Sequence, residues 1–338
     1  MKIIQRMIAA FFIAGLSQTG AAEAFQPLPS TLVDNVQSCY RDNFKDADSF
    51  IAQLEKRRPM SEEKRKQAKQ NYQTWLSNFI CLDFDYPVDG LTVRGFYLAP
   101  RNIAPTQKLP VVIYNRGGNA DSGAIPAHYR LHTFSPLLDK GFIVVGSQYR
   151  GARLGKDAHP DRLSDEFGGK DVADVLALLP IIDQLPQANP QKVGVWGASR
   201  GAMMAFLAAK QTDRFAALVA QSGPYDITAE LAVRPEMEAV LKTWIPDYEN
   251  HKTTELRKRS AVYWAKELPK DLPILLLHGA RDQRVSTASS LRMAEKLQTL
   301  ERPYRLVIYE KGGHSLREHE KEVRKEIANW FRKYLGSL

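Results

Sequence analysis

Val193-Gly194-Val195-Trp196-Gly197-Ala198-Ser199-Arg200-Gly201-Ala202-Met203-Met204 is the most telling run in this 338-residue chain. A short apolar stretch is followed by a glycine-flanked turn with a serine at its tip, and then by a helical stretch. That is the strand–turn–helix setting a G-x-S-x-G motif requires. Such a turn lifts the serine hydroxyl above the end of a sheet, and Gly197 and Gly201 let backbones pack closely. The bare pattern arises by chance in about one chain in ten of this length, so its surroundings must carry the weight.

Those surroundings alternate between strand and helix. Leu82 to Val88 and Leu91 to Leu98 read as strands joined by the two-residue hairpin signal Asp89-Gly90. Val111 to Tyr114 is a strand, Pro136 to Lys140 lies in a helix ending at Gly141, and Phe142 to Val145 is the next strand. Asp171 to Leu179 is an amphipathic helix. After the serine turn, Ala217 to Ala220, Ile274 to Leu277 and Arg305 to Ile308 complete the strands, and residues 316–335 form a last helix. The pattern predicts an α/β fold with a mainly parallel central sheet, helices on both faces and an antiparallel hairpin at its start.

Two segments depart from this rhythm. Thr228 to Lys270 is too long for a connection between buried strands, so a helical cap insertion is expected over about 228–270. Its Trp244, Tyr248, Tyr263 and Trp264 either pack the cap onto the body or touch substrate. Residues 25–80 read as an N-terminal helical extension, with Ala68, Tyr72, Trp75, Leu76 and Phe79 at helical spacing and a helix start at Ser61. The expected organisation is 1–24, 25–80 and a main domain over 81–338.

Residues 1–24 read as a signal peptide. Lys2 and Arg6 precede the apolar stretch Met7 to Leu16, and Ala22-Glu23-Ala24 is a small-x-small cleavage site. The apolar stretch is too short to span a bilayer, so a secreted or periplasmic protein without stable membrane insertion is expected. Cys39 and Cys81 are the only cysteines; in an oxidising compartment they form one bridge, otherwise two buried thiols. The formal net charge of +9 is spread over mixed-charge helical runs such as Glu62 to Lys69. With no nucleic-acid motif present, these read as solvated helix faces.

A serine hydroxyl needs a base, and the base needs an acid to orient it. After a G-x-S-x-G turn the partners follow in the order acid, histidine, each in a loop after a strand. Asp282 stands in His278-Gly279-Ala280-Arg281-Asp282 after one strand, and His314 in Lys311-Gly312-Gly313-His314 after the last. The candidate catalytic residues are therefore Ser199, Asp282 and His314. Asp226 is an alternative acid and His319 an alternative base; His278 reads as a structural turn histidine. Candidate oxyanion donors are the backbone N–H of Arg200 and those of the Asn115-Arg116-Gly117-Gly118-Asn119 loop, in particular Arg116 and Gly117. The Arg116 and Arg200 side chains bring charge near the site, for a substrate carboxylate or for local acids.

From about Leu91 onward the chain resembles the catalytic domain of the prolyl oligopeptidase family of serine peptidases, which has the α/β-hydrolase fold. The resemblance rests on Tyr149-Arg150-Gly151, Asp165-Glu166-Phe167-Gly168-Gly169-Lys170-Asp171-Val172, the serine turn, Arg259-Ser260-Ala261-Val262, the run from His278-Gly279 to Val285, and Gly313-His314. It implies a serine hydrolase working through an acyl-enzyme, without metal or organic cofactor, on small peptides or, alternatively, small esters. Many members carry a β-propeller before this domain, where this chain has about 60 residues. Arg116 and Arg200 stand where the family often has tyrosine.

Overall fold

The computed structural model describes residues 27–56, 58–104, 106–120, 122–152 and 165–336. The expected signal peptide, residues 1–24, lies outside the described residues. The strands are β1 Asp34–Ser38, β2 Phe79–Val88, β3 Leu91–Pro100, β4 Leu109–Asn115, β5 Ile143–Ser147, β6 Ala188–Ala198, β7 Phe215–Gln221, β8 Ile274–Gly279 and β9 Tyr304–Tyr309. They form one sheet in the order β1-β2-β3-β5-β4-β6-β7-β8-β9. Pairing is antiparallel from β1 to β5 and parallel from β5 through β9. Together with helices on both faces this is the α/β-hydrolase fold.

The helices are α1 Ala47–Glu55, α2 Glu62–Asn78, α3 Ala127–Leu138, α4 Asp171–Leu176, α5 Leu178–Gln184 and α6 Arg200–Ala209. There follow α7 Ile227–Val233, α8 Met237–Trp244, α9 Tyr248–Lys258, α10 Ala261–Trp264, α11 Thr287–Thr299 and α12 Glu320–Leu335. Successive strand residues point to opposite faces, so each central strand feeds two cores. On β4, Val111 and Ile113 join the core under α4 to α6 and α11, while Val112 and Tyr114 join the one under α3 and α12. The strand series therefore reads as continuous apolar runs, as parallel strands covered on both faces must.

The cap is made of α7 to α10, between β7 and β8, where the sequence places it. Tyr248 and Trp264 are buried in the core shared with α6, and Tyr263 is exposed. No helix among the described residues is long and apolar enough to cross a membrane.

The N-terminal extension differs from its reading. It holds α1 and α2, but also β1, which pairs antiparallel with β2 and extends the sheet at its edge. The sequence of β1, Asp-Asn-Val-Gln-Ser, has one apolar residue and no alternation, because an edge strand with both faces largely wet has little apolar surface to bury. Nor is the extension a separate unit. Phe44, Phe50, Tyr72 and Trp75 belong to the same core as Phe134 and Trp196. The last helix also begins later than expected, at Glu320, after a short 3-10 turn over Arg317–His319.

Cys39 and Cys81 form a disulfide across a separation of 42 residues, beside the backbone hydrogen bond from Cys39 N–H to Cys81 O. A loop of that length closed by a covalent bond contributes about 2–4 kcal/mol. The Cys39→Ser/Cys81→Ser pair is expected to fold with its unfolding free energy in urea lowered by about 2–4 kcal/mol and its m-value somewhat raised, as the uncrosslinked chain unfolds further; an unchanged unfolding free energy would remove the bridge from the stability of the fold.

Candidate active site

The turn between β6 and α6 holds Ser199 at φ 57° and ψ −127°, a backbone conformation that costs a non-glycine residue about 1–3 kcal/mol. Two contacts hold it there: Ser199 N–H donates to Gln221 O at 2.8 Å, and Ala202 N–H donates to Ser199 O at 2.9 Å. The flanking glycines are required for space. A Cβ on Gly197 would lie 1.9 Å from Gly201 O, and one on Gly201 would lie 2.0 Å from Asn115 O.

Three loops at the same end of the sheet bring the expected side chains together. His314 Nε2 lies 3.0 Å from Ser199 Oγ, and His314 Nδ1 lies 2.7 Å from Asp282 Oδ2. An ionised carboxylate only accepts, so Nδ1 carries the proton and Nε2 is free to accept from the serine O–H. Asp282 is itself tightly held: its Oδ1 accepts from the N–H groups of Arg284 and Val285 at 2.8 and 3.0 Å. Burial pushes its carboxyl up, but hydrogen bonds from His278 and His314 outweigh that and hold it well below the usual carboxylate range.

The alternatives are used elsewhere. Asp226 caps α7, accepting from Ala229 N–H at 3.1 Å, and faces Arg292 Nε at 3.3 Å. His319 pairs with Glu322 at 2.7 Å. His278, read as a turn residue satisfied by backbone, is fully buried, with Nε2 3.1 Å from Asp282 Oδ2 as well as from Val285 O.

Two cavities meet at Ser199 and His314. One, of about 200 Å³, is walled by Phe167, Ile227, Leu231, Met237 and Leu241, between the body and α7 and α8. The other, of about 370 Å³, is more polar and is bordered by Gly117, Gly118, Ser122 and Tyr129. Of the four cap aromatics, none borders either cavity. Arg200 opens α6, so its N–H is one of those with no carbonyl inside the helix. Gly117 passes so close that a Cβ there would lie 3.1 Å from Ser199 Cβ.

Arg116, expected beside Gly117 as a backbone donor, is not among the residues bordering either cavity. Its side chain is fully buried and donates to backbone carbonyls: Gln148 O, Gly117 O at 3.0 Å, Ser122 O at 3.2 Å and Ala120 O at 2.6 Å. It thereby shapes the loop from the inside. The Arg200 side chain also turns inward, to Asp165 at 2.8 Å, to Asp171, and to Gly118 O at 2.9 Å. Both guanidiniums lie over the Tyr149 ring, whose O–H donates to Arg116 O. Local acids and carbonyls, not a substrate carboxylate, take up these charges. The parts played by Asp165, Asp171 and His278 were missed from sequence, where polar residues near glycines look like ordinary loop; Asp165 stands six residues before α4 and Asp171 is its first residue, a spacing that says nothing about their shared partner.

Gly117→Ala is expected to slow turnover at least about tenfold with the fold intact, since its methyl must displace either Ser199 or the Ala198 carbonyl. Turnover at the wild-type rate would show that this backbone can retreat freely. Arg200→Met should cost about 3–5 kcal/mol in urea unfolding, because it leaves Asp165 and Asp171 buried without their cation. Burial raises the Asp165 carboxyl, but Arg200 lowers it further, so Asp165 and Asp282 both titrate lower folded than unfolded. The stability they contribute is full above the unfolded value of about 3.9 and is lost as pH falls through the folded values. Urea midpoints should accordingly drop steeply below about pH 4.

Residues 127–338 match the sequence profile of the Prolyl oligopeptidase family. The uncharacterized peptidase YuxL of Bacillus subtilis is 27% identical over 254 residues, 73% of this chain and 38% of YuxL. A shorter relative, the uncharacterized peptidase YtmA of the same species, is 24% identical over 249 residues and is covered over 91% of its length. The acylaminoacyl peptidase of Pyrococcus horikoshii superposes with a TM-score of 0.66 at 24% identity, over 79% of this chain and 43% of that one. This chain thus spans less than half of YuxL and of the Pyrococcus horikoshii peptidase, and nearly all of YtmA. With the match extending from α3 through α12 and taking in the serine turn, the chain belongs to the prolyl oligopeptidase family of serine peptidases.

Proposed function

We propose that the protein is an exported serine peptidase that cleaves small peptides through an acyl-enzyme on Ser199. The observation that carries this is the unbroken relay from Asp282 through His314 to Ser199, at 2.7 and 3.0 Å. In it, His314 Nε2 takes the serine proton as Oγ attacks the carbonyl carbon, and Asp282 stabilises the imidazolium that forms. The Arg200 and Gly117 N–H groups face the developing oxyanion. His314 then gives its proton to the leaving amine, and a water, deprotonated in turn by His314, releases the acyl group. The smaller, apolar cavity suits an apolar side chain on the acyl side, and the polar one suits the leaving peptide.

An amide substrate is favoured over an ester by the relatives, which are named as peptidases. Export is supported by the signal-like residues 1–24 and by the Cys39–Cys81 bridge, which belongs to an oxidising compartment.

A fluorophosphonate probe should label the wild type and not Ser199→Ala. His314→Ala and Asp282→Asn should fold and lose on the order of a thousandfold or more in kcat. Cleavage of aminoacyl-anilides is expected; turnover of short-chain p-nitrophenyl esters with no anilide cleavage would reassign the protein as a carboxylesterase.

A further inference from the structure

His278 sits at the end of β8, one residue before the loop that carries Asp282, and its ring has no exposed surface. Each ring nitrogen is engaged. Nδ1 lies 2.7 Å from Ser290 Oγ on α11, and Nε2 lies 3.1 Å from both Val285 O and Asp282 Oδ2. A carbonyl and an ionised carboxylate can only accept, so Nε2 bears the hydrogen, and in the neutral ring Nδ1 accepts from the Ser290 hydroxyl. The tautomer is thus fixed from one side by α11 and from the other by the Asp282 loop. The carboxylate oxygen it reaches, Oδ2, is also the one that accepts from His314 Nδ1.

We propose that His278 is a positioning residue for the Ser199 chemistry, its Nε2–H, shared between Val285 O and Asp282 Oδ2, holding that carboxylate oxygen in line with His314. The inference rests on the proposed roles of Ser199, Asp282 and His314. With backbone N–H groups on Oδ1 and two imidazoles on Oδ2, the carboxylate has one rotational setting, and that setting aims it at His314. The same N–H draws electron density from Oδ2, which tempers the pull of Asp282 on the imidazolium that forms at His314. A further ionisable group near both residues is Glu230 on α7; its Oε2 accepts from Ser286 N–H at 2.9 Å, and its Oε1 faces Arg292 Nη2 at 3.9 Å. Glu230 and Arg292 are left intact in the test, so their contribution stays constant.

The test compares wild type, His278→Gln, His278→Met and Ser290→Ala in the full chain, by kcat, KM, the pH profile of kcat/KM on one anilide, and thermal midpoint. The Gln amide reaches about as far as Nε2 and keeps a donor; Met keeps volume and supplies none. His278→Met should lose about tenfold to a hundredfold in kcat, the usual scale for removing a partner that orients a functional side chain, with KM nearly unchanged. The acid limb of its profile should move to higher pH, because an unshared Oδ2 holds the imidazolium more strongly. His278→Gln should recover most of the rate, and Ser290→Ala, which takes away the Nδ1 partner and loosens the setting of the ring, should shift the limb part of the way.

A folded His278→Met with wild-type kcat and an unmoved limb would overturn the proposal. So would a His278→Gln as slow as His278→Met at equal thermal midpoint. Should His278→Met not fold, Ser290→Ala decides: an unmoved limb there overturns the proposal, and a shifted limb with an active His278→Gln upholds it. Ser199→Ala, run alongside, keeps the two readings apart. Retained turnover in Ser199→Ala sinks the serine mechanism itself, whereas its loss with indifferent His278 variants sinks only the role of His278.

Discussion

The Arg200 guanidinium, buried between Asp165 and Asp171, is the contact on which the rest of the site depends. It follows the serine directly in sequence, so its place fixes the first turn of α6. Through Gly118 O it also holds the loop after β4, and Asp165 holds the same loop again by accepting from Ala120 N–H at 2.8 Å. Three segments far apart in sequence therefore converge on one cation. Buried pairs of this kind are stable only when the remaining donors and acceptors are filled. Here the acids are filled, Asp165 accepting also from Phe167 N–H and Asp171 from the N–H groups of Gly168 and Gly169, while on the cation Nε alone is left without a partner.

The same loop is where the cap is fastened. Arg259, at the end of α9, is buried and donates to Phe167 O at 2.9 Å and Glu166 O at 2.8 Å. The wall that α7 and α8 contribute to the apolar cavity is thus referenced to the loop that Arg200 anchors. Its Phe167 ring lies under Arg200 and borders that cavity. Charge inside the body and shape in the cavity are coupled through a few backbone carbonyls.

The central strands and the order of Ser199, Asp282 and His314 were legible in the sequence because each rests on a local signal. A run buried on both faces must be apolar throughout, and a loop after such a run falls at one end of the sheet. The hairpin at Asp89-Gly90 was legible for the same reason, since a two-residue turn needs residues that accept positive φ. What escaped was whatever depends on a partner distant in the chain. β1 has no pattern of its own because it forms only against β2. Arg116 and Arg200 carried charge without a destination, since Asp165, Asp171 and the carbonyls of residues 117–122 meet them only after folding. His278 looked like a turn residue because its link to Asp282 depends on how the loop closes. The pairing of Cys39 with Cys81 stayed open until β1 placed one beside the other.

The sheet order also sets a distance. β6, which ends at Ser199, and β8, which leads to Asp282, are not neighbours; β7 runs between them. At about 4.8 Å per strand their ends are held roughly 10 Å apart, well beyond the reach of one hydrogen bond. A flat ring with a nitrogen at each end fills such a gap, and the neighbouring strand β9 delivers it by a loop folded back across the top of β8. The interstrand spacing of a polypeptide sheet thus acts as the ruler to which this relay is cut.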